Sequence, residues 1–487
     1  MRTLEEILAI PEIERKIYYL KKGRKTEHPN AHALYNDWNP NRHEIVIDEE
    51  KYPKIKITTK PEERITDPTT GKEYVEPAVK KEVEPNRIAL PIEQDIINLQ
   101  TAFTVGTEPT LDCQPDQSEE SLLSALKQVF KKNKLKYQNK KVVRAWLSEQ
   151  EVAEYWYVVK DDGFWAKLKR KVAGIFGKSK PEYRLKSAIW SPFRGDKLYP
   201  FFNDNGDLVA LSREYKKKDL DDVEITCFMT ITKDMVYQWE LTSNWTDKGS
   251  FAHGFKKLPV IYMYRPEAYC EKIKSLRVRL EKLLSNYADC IDYHFFPILM
   301  LFGDVQNFSG EFKNRVVELT GQGANAQYLT WSQVPDTVKF EVETLLSQIY
   351  GLTNTPRISF DALKGTGNAV SGVTFDYVFM STHLNVENLN ETVGEFMQRR
   401  VNFLTSALGS VNTTLEAASE TIDIDVQMQP YKLEDIKDKI DTAIKAKDGE
   451  IWSQQRAITF VGNVDSVLDE IEAIKDCLLY TSPSPRD

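Results

Sequence analysis

The sequence has little with which to hold a metal, a nucleotide or a membrane. Its 487 residues include five cysteines (Cys113, Cys227, Cys270, Cys290 and Cys477), with no CxxC pair and no metal-ligand spacing. That pattern excludes a zinc framework and predicts free thiols in a reducing compartment. The six histidines are scattered; His28 and His32 sit four apart among Pro and Asn residues, without the glutamate of an HExxH helix. The longest apolar run, Phe295 to Phe302, is far too short to cross a bilayer, and Met1–Glu6 has no apolar core, so neither a membrane span nor a secretory leader is expected. A formal net charge of −8 excludes a polycation that coats nucleic acid.

Phosphate and nucleophile motifs are missing too. The nearest approach to a P-loop ends in Gly177-Lys178-Ser179, but Val172 stands where the first glycine is needed, and a basic stretch rather than a strand precedes it. That stretch, Trp165–Lys180, reads as a surface helix with snorkelling lysines, membrane or nucleic-acid contact being the weaker alternative. Gly365-Thr-Gly-Asn-Ala-Val-Ser-Gly372 lacks dinucleotide-binding spacing and follows no strand. There is no GxSxG. No catalytic set assembles, and no cofactor is expected.

What is present is a long helical design. Val338, Val342, Leu345 and Ile349 recur at helical spacing from Asp336 to Leu352, and Gly351 and Pro356 end the pattern. After the glycine-rich loop a second pattern runs from Val373 to Leu408. Its stripe is Val373, Tyr377, Met380 and Leu384, then Leu389, Val393, Met397, Val401, Leu404 and Leu408. A helix of that length spans about 50 Å.

Upstream, a short amphipathic helix opens the chain, and residues 60–86, with four prolines, read as an extended arm. Asn86 to Gly106 continues into a helix, and Glu119–Lys134 is another, with Ser118 as its N-cap. Lys141–Val159 reads as strand-like or mixed. Arg184–Tyr264 is β-rich, with a hairpin turn at Asn203-Asp-Asn-Gly-Asp207.

From Glu267, Ile273, Leu276, Leu280, Leu283 and Tyr287 form a 3,4-spaced seam suited to packing against other helices. Lys272, Lys274, Arg277, Arg279 and Lys282 read as its solvated face, or as a subunit or DNA contact. Pro297 ends that helix. Residues 298–333 then read as a small α/β module: a strand at Ile298–Phe302, a short helix at Gly310–Val316, and strands around Val317 and Tyr328. One helix leads out to this module and another returns. Beyond Gly409 come a strand at Ile422–Val426 and a helix on Leu433, Ile436, Ile440 and Ile444.

These landmarks resemble the portal proteins of tailed bacteriophages, in the branch found in siphophages of Gram-positive bacteria. The resemblance is carried, in order, by Asn86-Arg-Ile through Phe103-Thr-Val-Gly-Thr-Glu-Pro109; by Leu258-Pro-Val-Ile-Tyr-Met-Tyr and the helix after it; by Leu346-Ser-Gln-Ile-Tyr350, Thr355-Pro and Ser371-Gly-Val-Thr-Phe; and by Phe396-Met-Gln-Arg-Arg400 and Gly449-Glu-Ile-Trp-Ser. Here one extra residue precedes Pro109.

The resemblance implies an α+β multidomain portal fold. Residues 1–85 would be the N-terminal arm and outer wing, 86–266 the wing, 267–297 the outgoing stem helix, 298–333 the clip and 334–355 the returning stem helix. The tunnel loop would be 356–372, the long wing helix 373–409, and the C-terminal wing and start of a crown 410–476. Residues 477–487 share no character with the acidic helix before them and resemble a translated sequencing-adapter tail, so they are expected to be non-native.

The implied function is structural, not enzymatic: a ring, usually of twelve subunits, at one capsid vertex, through which double-stranded DNA is packaged and ejected. Partners would be the terminase large subunit, head-tail adaptors and the major capsid and scaffold proteins, with no membrane. Lys364, Gly365, Thr366, Gly367, Asn368, Ser371 and Gly372 would face the DNA, Lys364 bearing the one charge. Ile273, Leu276, Leu280, Leu283 and Tyr287 would pack the stem ring. Another virion head-tail protein is the alternative; a terminase or nuclease would need a P-loop or a carboxylate cluster.

Overall fold

The structure, a computed structural model, describes residues 3–60, 62–66, 73–160, 183–294, 298–308, 317–329, 335–357, 372–431, 436–462 and 467–481. Four short helices, Leu4–Leu8, Ile13–Lys22, Ala31–Trp38 and Glu44–Ile47, open the chain. The expected extended arm is a β-ribbon: Ile55–Lys60 pairs antiparallel with Val79–Val83, and Glu63–Thr66 with Glu73–Glu76.

The β-rich region is two sheets. One has five antiparallel strands in the spatial order 245–252, 235–241, 224–232, 208–218, 197–202. The other has three, in the order 260–264, 151–160, 183–190. Alternation along each strand sends neighbouring residues to opposite faces. Ala210, Phe228 and Trp239 therefore meet Ile7, Ile17 and Leu20 of the N-terminal helices. Leu211, Met229 and Ile231 meet Ala153, Trp190 and Val260 of the smaller sheet. The expected hairpin turn is present between the strands 197–202 and 208–218: Gly206 has φ +88°, and Asn203 Oδ1 accepts from Asp207 N at 2.8 Å.

The largest core is mainly helical, takes in Val152, Trp156, Ile261 and Met263 of the three-stranded sheet, and joins distant parts of the chain. It contains Ile96 and Ile97 of helix Ile92–Val105, Val142, Val143 and Leu147 of helix Leu135–Glu149, and Leu345 and Ile349 of helix Pro335–Leu352. The 40-residue helix Gly372–Val411 supplies Leu389, Val393, Met397, Val401 and Leu404. At about 1.5 Å per residue that helix is about 60 Å long.

Several expectations change. Residues 141–149 belong to helix Leu135–Glu149, and the strand begins only at Glu151; the β-branched pair Val142-Val143 suggests a strand, but both pack as helix residues in the core. Helix Glu119–Asn133 is not capped by the Ser118 side chain; Asp116 Oδ1 accepts from Glu119 N at 2.8 Å instead. In the long helix, Met380 and Leu384 are 54% and 61% exposed, while Phe379, Thr382 and Val386 are buried. Its apolar stripe is thus continuous only over its second half.

The outgoing helix spans Lys274–His294 after a short 3-10 turn, Glu271–Ile273. Ile298–Phe308 and Val317–Leu329 follow as one antiparallel hairpin, with register shifts at Phe302/Asp304 and Val305/Asn307. The expected strands near Val317 and Tyr328 are thus one strand, and the helix expected at Gly310–Val316 lies outside the described residues. Further on, Asp425–Gln427 pairs with Thr110–Asp112, and helices Ile436–Asp448, Gln454–Val461 and Val467–Thr481 end the described chain.

Candidate functional site

Two buried polar knots fix the ends of the helix–hairpin–helix unit, and they are the most specific chemistry in the molecule. The first lies at the root of the outgoing helix. Arg277, expected on a solvated face, is 1% exposed. Its guanidinium pairs with Asp37 (Nη2 to Oδ1, 2.9 Å), with Glu281 (Nη1 to Oε2, 3.3 Å) and, through Nε, with Glu93. Lys274 adds a pair to Asp37 at 2.6 Å, and His43 Nδ1 lies 2.7 Å from Glu281 Oε1.

A guanidinium has five donors, and here three carboxylates converge on it; a charge taken out of bulk water needs such partners. Burial holds the Glu93 carboxyl up at about 7 against the opposing pull of Arg277. Of the other basic residues, Lys272 in the preceding turn and Arg279 and Lys282 on the helix are exposed, and Arg279 reaches Glu341 of the returning helix at 2.7 Å.

The same helix face is fastened further along its length. Glu281, Ser285 and Asp289 recur every four residues and so lie in one row. Glu281 Oε1 accepts from Leu90 N at 2.9 Å, Ser285 Oγ from Ile88 N at 2.9 Å, and Asp289 Oδ1 from Asn86 N at 2.7 Å. The extended segment Asn86–Leu90 has no strand beside it, and this row satisfies every second N–H.

That arrangement decides what the seam does. Ile273 and Leu280 are completely buried inside the subunit, and Leu276 and Leu283 pack against the same core. The expected ring-packing role is therefore corrected for Ile273 and Leu280, which leave no surface for a neighbour. Leu276, Leu283 and Tyr287 keep partial exposure.

The second knot lies where the returning helix ends. Gly351 and Asn354, the latter at φ +48°, turn the chain, and Thr355 N closes the helix onto Tyr350 O at 2.9 Å. Gln100 Nε2 lies 3.1 Å from Thr353 O, 3.2 Å from Asn354 O and 3.0 Å from Thr355 Oγ1. Tyr269 OH donates to Thr353 O at 2.6 Å, and Thr382 Oγ1 to Asn354 O at 2.8 Å. Asn385 Nδ2 completes the network on Gln100 Oε1 (3.0 Å) and Tyr269 OH (2.9 Å).

Four elements thus meet on one turn: helix Ile92–Val105, the segment before the outgoing helix, the returning helix, and the long helix. Gln100, Thr353 and Thr382 have no measurable exposure. A satisfied buried network of this kind rigidifies what it joins. It therefore holds fixed the chain on both sides of the glycine-rich segment. Lys364, Gly365, Thr366, Gly367, Asn368 and Ser371 lie outside the described residues, and Gly372 is the first residue of the long helix.

A third tie sits in the second half of the long helix. Arg400, of the double-arginine motif, is 2% exposed and donates through Nε to Glu154 at 2.6 Å and through Nη1 to Asn139 at 2.5 Å. Arg399 is exposed and pairs only locally, with Glu395.

Among the described residues, no group of three or more His, Cys, Asp or Glu is placed to hold a metal ion, and no helix is long and apolar enough to cross a membrane. The polar members of the knots were not legible beforehand. Arg277 and Glu281 sit among seam residues and look solvated, and Gln100 and Asn385 carry no motif. The one available signal was their placement within otherwise apolar helical faces.

Helix out, hairpin, helix back, and then a 40-residue helix anchored by buried polar ties describe a structural α+β protein of several domains. The sequence matches the family described as phage portal protein, SPP1 Gp6-like, over residues 21–478, and the chain belongs to that family. It is a phage portal protein by family, a structural protein of the virion. No curated protein matches the chain. Among solved structures it is similar to a chain of the virion of a native gene transfer agent particle. That likeness has 10% identity, covers 81% of this chain and 91% of the other, and has a TM-score of 0.37.

Proposed function

We propose that this chain assembles into a closed ring, of twelve subunits in the usual portal pattern, at one capsid vertex, and that the ring is the conduit for packaging and ejecting double-stranded DNA. Residues 298–333 form the clip that docks the terminase large subunit and later the head-tail adaptors. Residues 356–372 border the channel, with Lys364 to Gly372 facing the DNA. Major capsid and scaffold proteins contact the ring from the head side, and assembly takes place in the host cytoplasm.

The observation that carries this reading is the rigid polar knot at Thr353–Thr355. It fixes the chain on either side of a glycine-rich segment and joins the end of the returning helix to helix Ile92–Val105, the segment before the outgoing helix and the long helix. A loop that must let DNA slide past benefits from a fixed base, a glycine-rich sequence and few cations, because each phosphate paired to a lysine acts as an electrostatic brake.

The test is Gly365→Pro combined with Gly367→Pro. Proline removes backbone freedom, so DNase-protected DNA in assembled heads should fall while purified rings stay intact. Normal packaging by this variant would overturn the loop assignment.

A further inference from the structure

The lysines of this acidic chain are unevenly spread. Between Glu120 and Glu149 there are seven lysines and Arg144 with no carboxylate, a segment of +8 in a chain of −8, so the remaining residues carry −16. Lys127, Lys131, Lys132, Lys134, Lys136 and Lys141 are exposed. The ion pairs of the described residues include none of the seven lysines. Lys127, Lys131, Lys134 and Lys136 rim a groove of about 630 Å³ whose walls include Phe130 and, from the long helix, Val401. The groove is thus predominantly cationic, with Glu108 the one carboxylate of its lining, and its walls carry Leu111, Phe130, Leu135, Met397 and Val401.

The long helix presents the complement. Met380 and Leu384 are more than half exposed, and Glu387, Glu391 and Glu395 are exposed as well. Their spacing of 4, 3, 4 and 4 puts two apolar residues and three carboxylates on one stripe about 22 Å long. Glu387 and Glu391 have no ion-pair partner among the described residues, whereas Glu395 has Arg399.

Both surfaces belong partly to the same helix but lie on different sides of it. At 3.6 residues per turn, Glu391 points about 100° away from the groove wall formed by Met397 and Val401. One subunit therefore cannot lay its own stripe in its own groove. Two different, complementary patches on one molecule make a head-to-tail contact, the kind that closes into a ring.

We infer that the Lys127–Lys136 groove receives the Met380–Glu395 stripe of a second copy of this chain, and that this is a contact between ring neighbours. The inference rests on the ring proposed above. A second copy fits better than DNA because the stripe fills the apolar walls as well as the charged rim, which a phosphate backbone does not.

The experiment is a charge swap read by mass photometry across protein concentration. Lys127→Glu with Lys131→Glu, and separately Glu387→Lys with Glu391→Lys, should each raise the concentration at which rings half-dissociate by at least about tenfold. All four changes in one chain restore opposite charges across the contact and should bring the midpoint back close to wild type. That recovery also shows that the variants fold. Three outcomes overturn the inference while leaving the ring standing: wild-type rings whose midpoint neither reversal moves, reversals that the combined variant does not rescue, and lysine reversals that only weaken binding of a short DNA duplex. Wild-type protein that never forms rings overturns the proposed function and this contact together.

Discussion

Replacing Arg277 with methionine should weaken the fold far more than the loss of any other cation on the outgoing helix. The guanidinium is 1% exposed, and removing it leaves Glu93 and Glu281, which are 5% and 1% exposed, without the cation between them. Breaking a buried ion pair from one side costs about 3–5 kcal/mol, since the remaining charge is stranded in a poor solvent. Arg279→Met is the matched control, because its pair to Glu341 is 52% and 36% exposed. An exposed pair of this kind contributes about 0–1 kcal/mol.

The loss at Arg277 should also depend on pH. The folded Glu93 carboxyl already titrates at about 7, above its ordinary 4.5, chiefly through burial. Without Arg277 it rises further. A carboxyl raised in the folded state disfavours folding above its folded pKa, and that penalty disappears as pH falls towards its unfolded value. The variant's deficit should therefore be largest above pH ~7 and shrink towards pH ~5. Urea unfolding followed by tryptophan fluorescence at several pH values measures it. If Arg277→Met and Arg279→Met unfold alike at neutral pH, the buried cluster is not the anchor described above.

Other expectations follow from the same geometry. Glu149 is 6% exposed and accepts from Phe193 N at 2.6 Å, and burial pushes its carboxyl up to about 7. Stability should fall as pH rises from about 4.5 to 7, by about 3 kcal/mol at most from this group, and Glu149→Gln should flatten that slope in thermal scans. Gln100→Ala removes one donor each from Thr353 O and Asn354 O and the Oε1 acceptor of Asn385, for a loss of about 1–3 kcal/mol. Hydrogen exchange should then quicken at Thr353–Thr355 before it does in the five-stranded sheet; uniform exchange would count against a local knot. Arg400→Met should loosen the long helix from Glu154 and Asn139, with a cost of about 3 kcal/mol, whereas Arg399→Met should cost under about 1 kcal/mol.

Much of the skeleton was legible because long apolar periodicities leave few alternatives. The helix expected at Asp336–Leu352 is found at Pro335–Leu352, and that expected at Val373–Leu408 at Gly372–Val411. The strands around Leu208, Glu224 and Met235 are also where alternation puts them. What failed had a common cause: local pattern says nothing about the partner across the core. Arg277 looks solvated until Glu93 and Asp37, from far upstream, are folded against it. Met380 and Leu384 look buried until helix Ile92–Val105 packs instead against Phe379 and Val386, through Phe103. Residues 141–149 read as strand-like or mixed because Val142 and Val143 favour β-structure locally, and tertiary packing overrides that preference. The polar knot at Thr353–Thr355 could not be foreseen, since its donors come from positions more than 250 residues apart in the chain.

Electron micrographs of the purified protein, rotationally averaged, test the proposed assembly most directly. The prediction is a closed ring of identical subunits around a central channel, with stem and clip projecting on one side. A protein that remains a monomer at micromolar concentration, or that averages to particles without a channel, would contradict it.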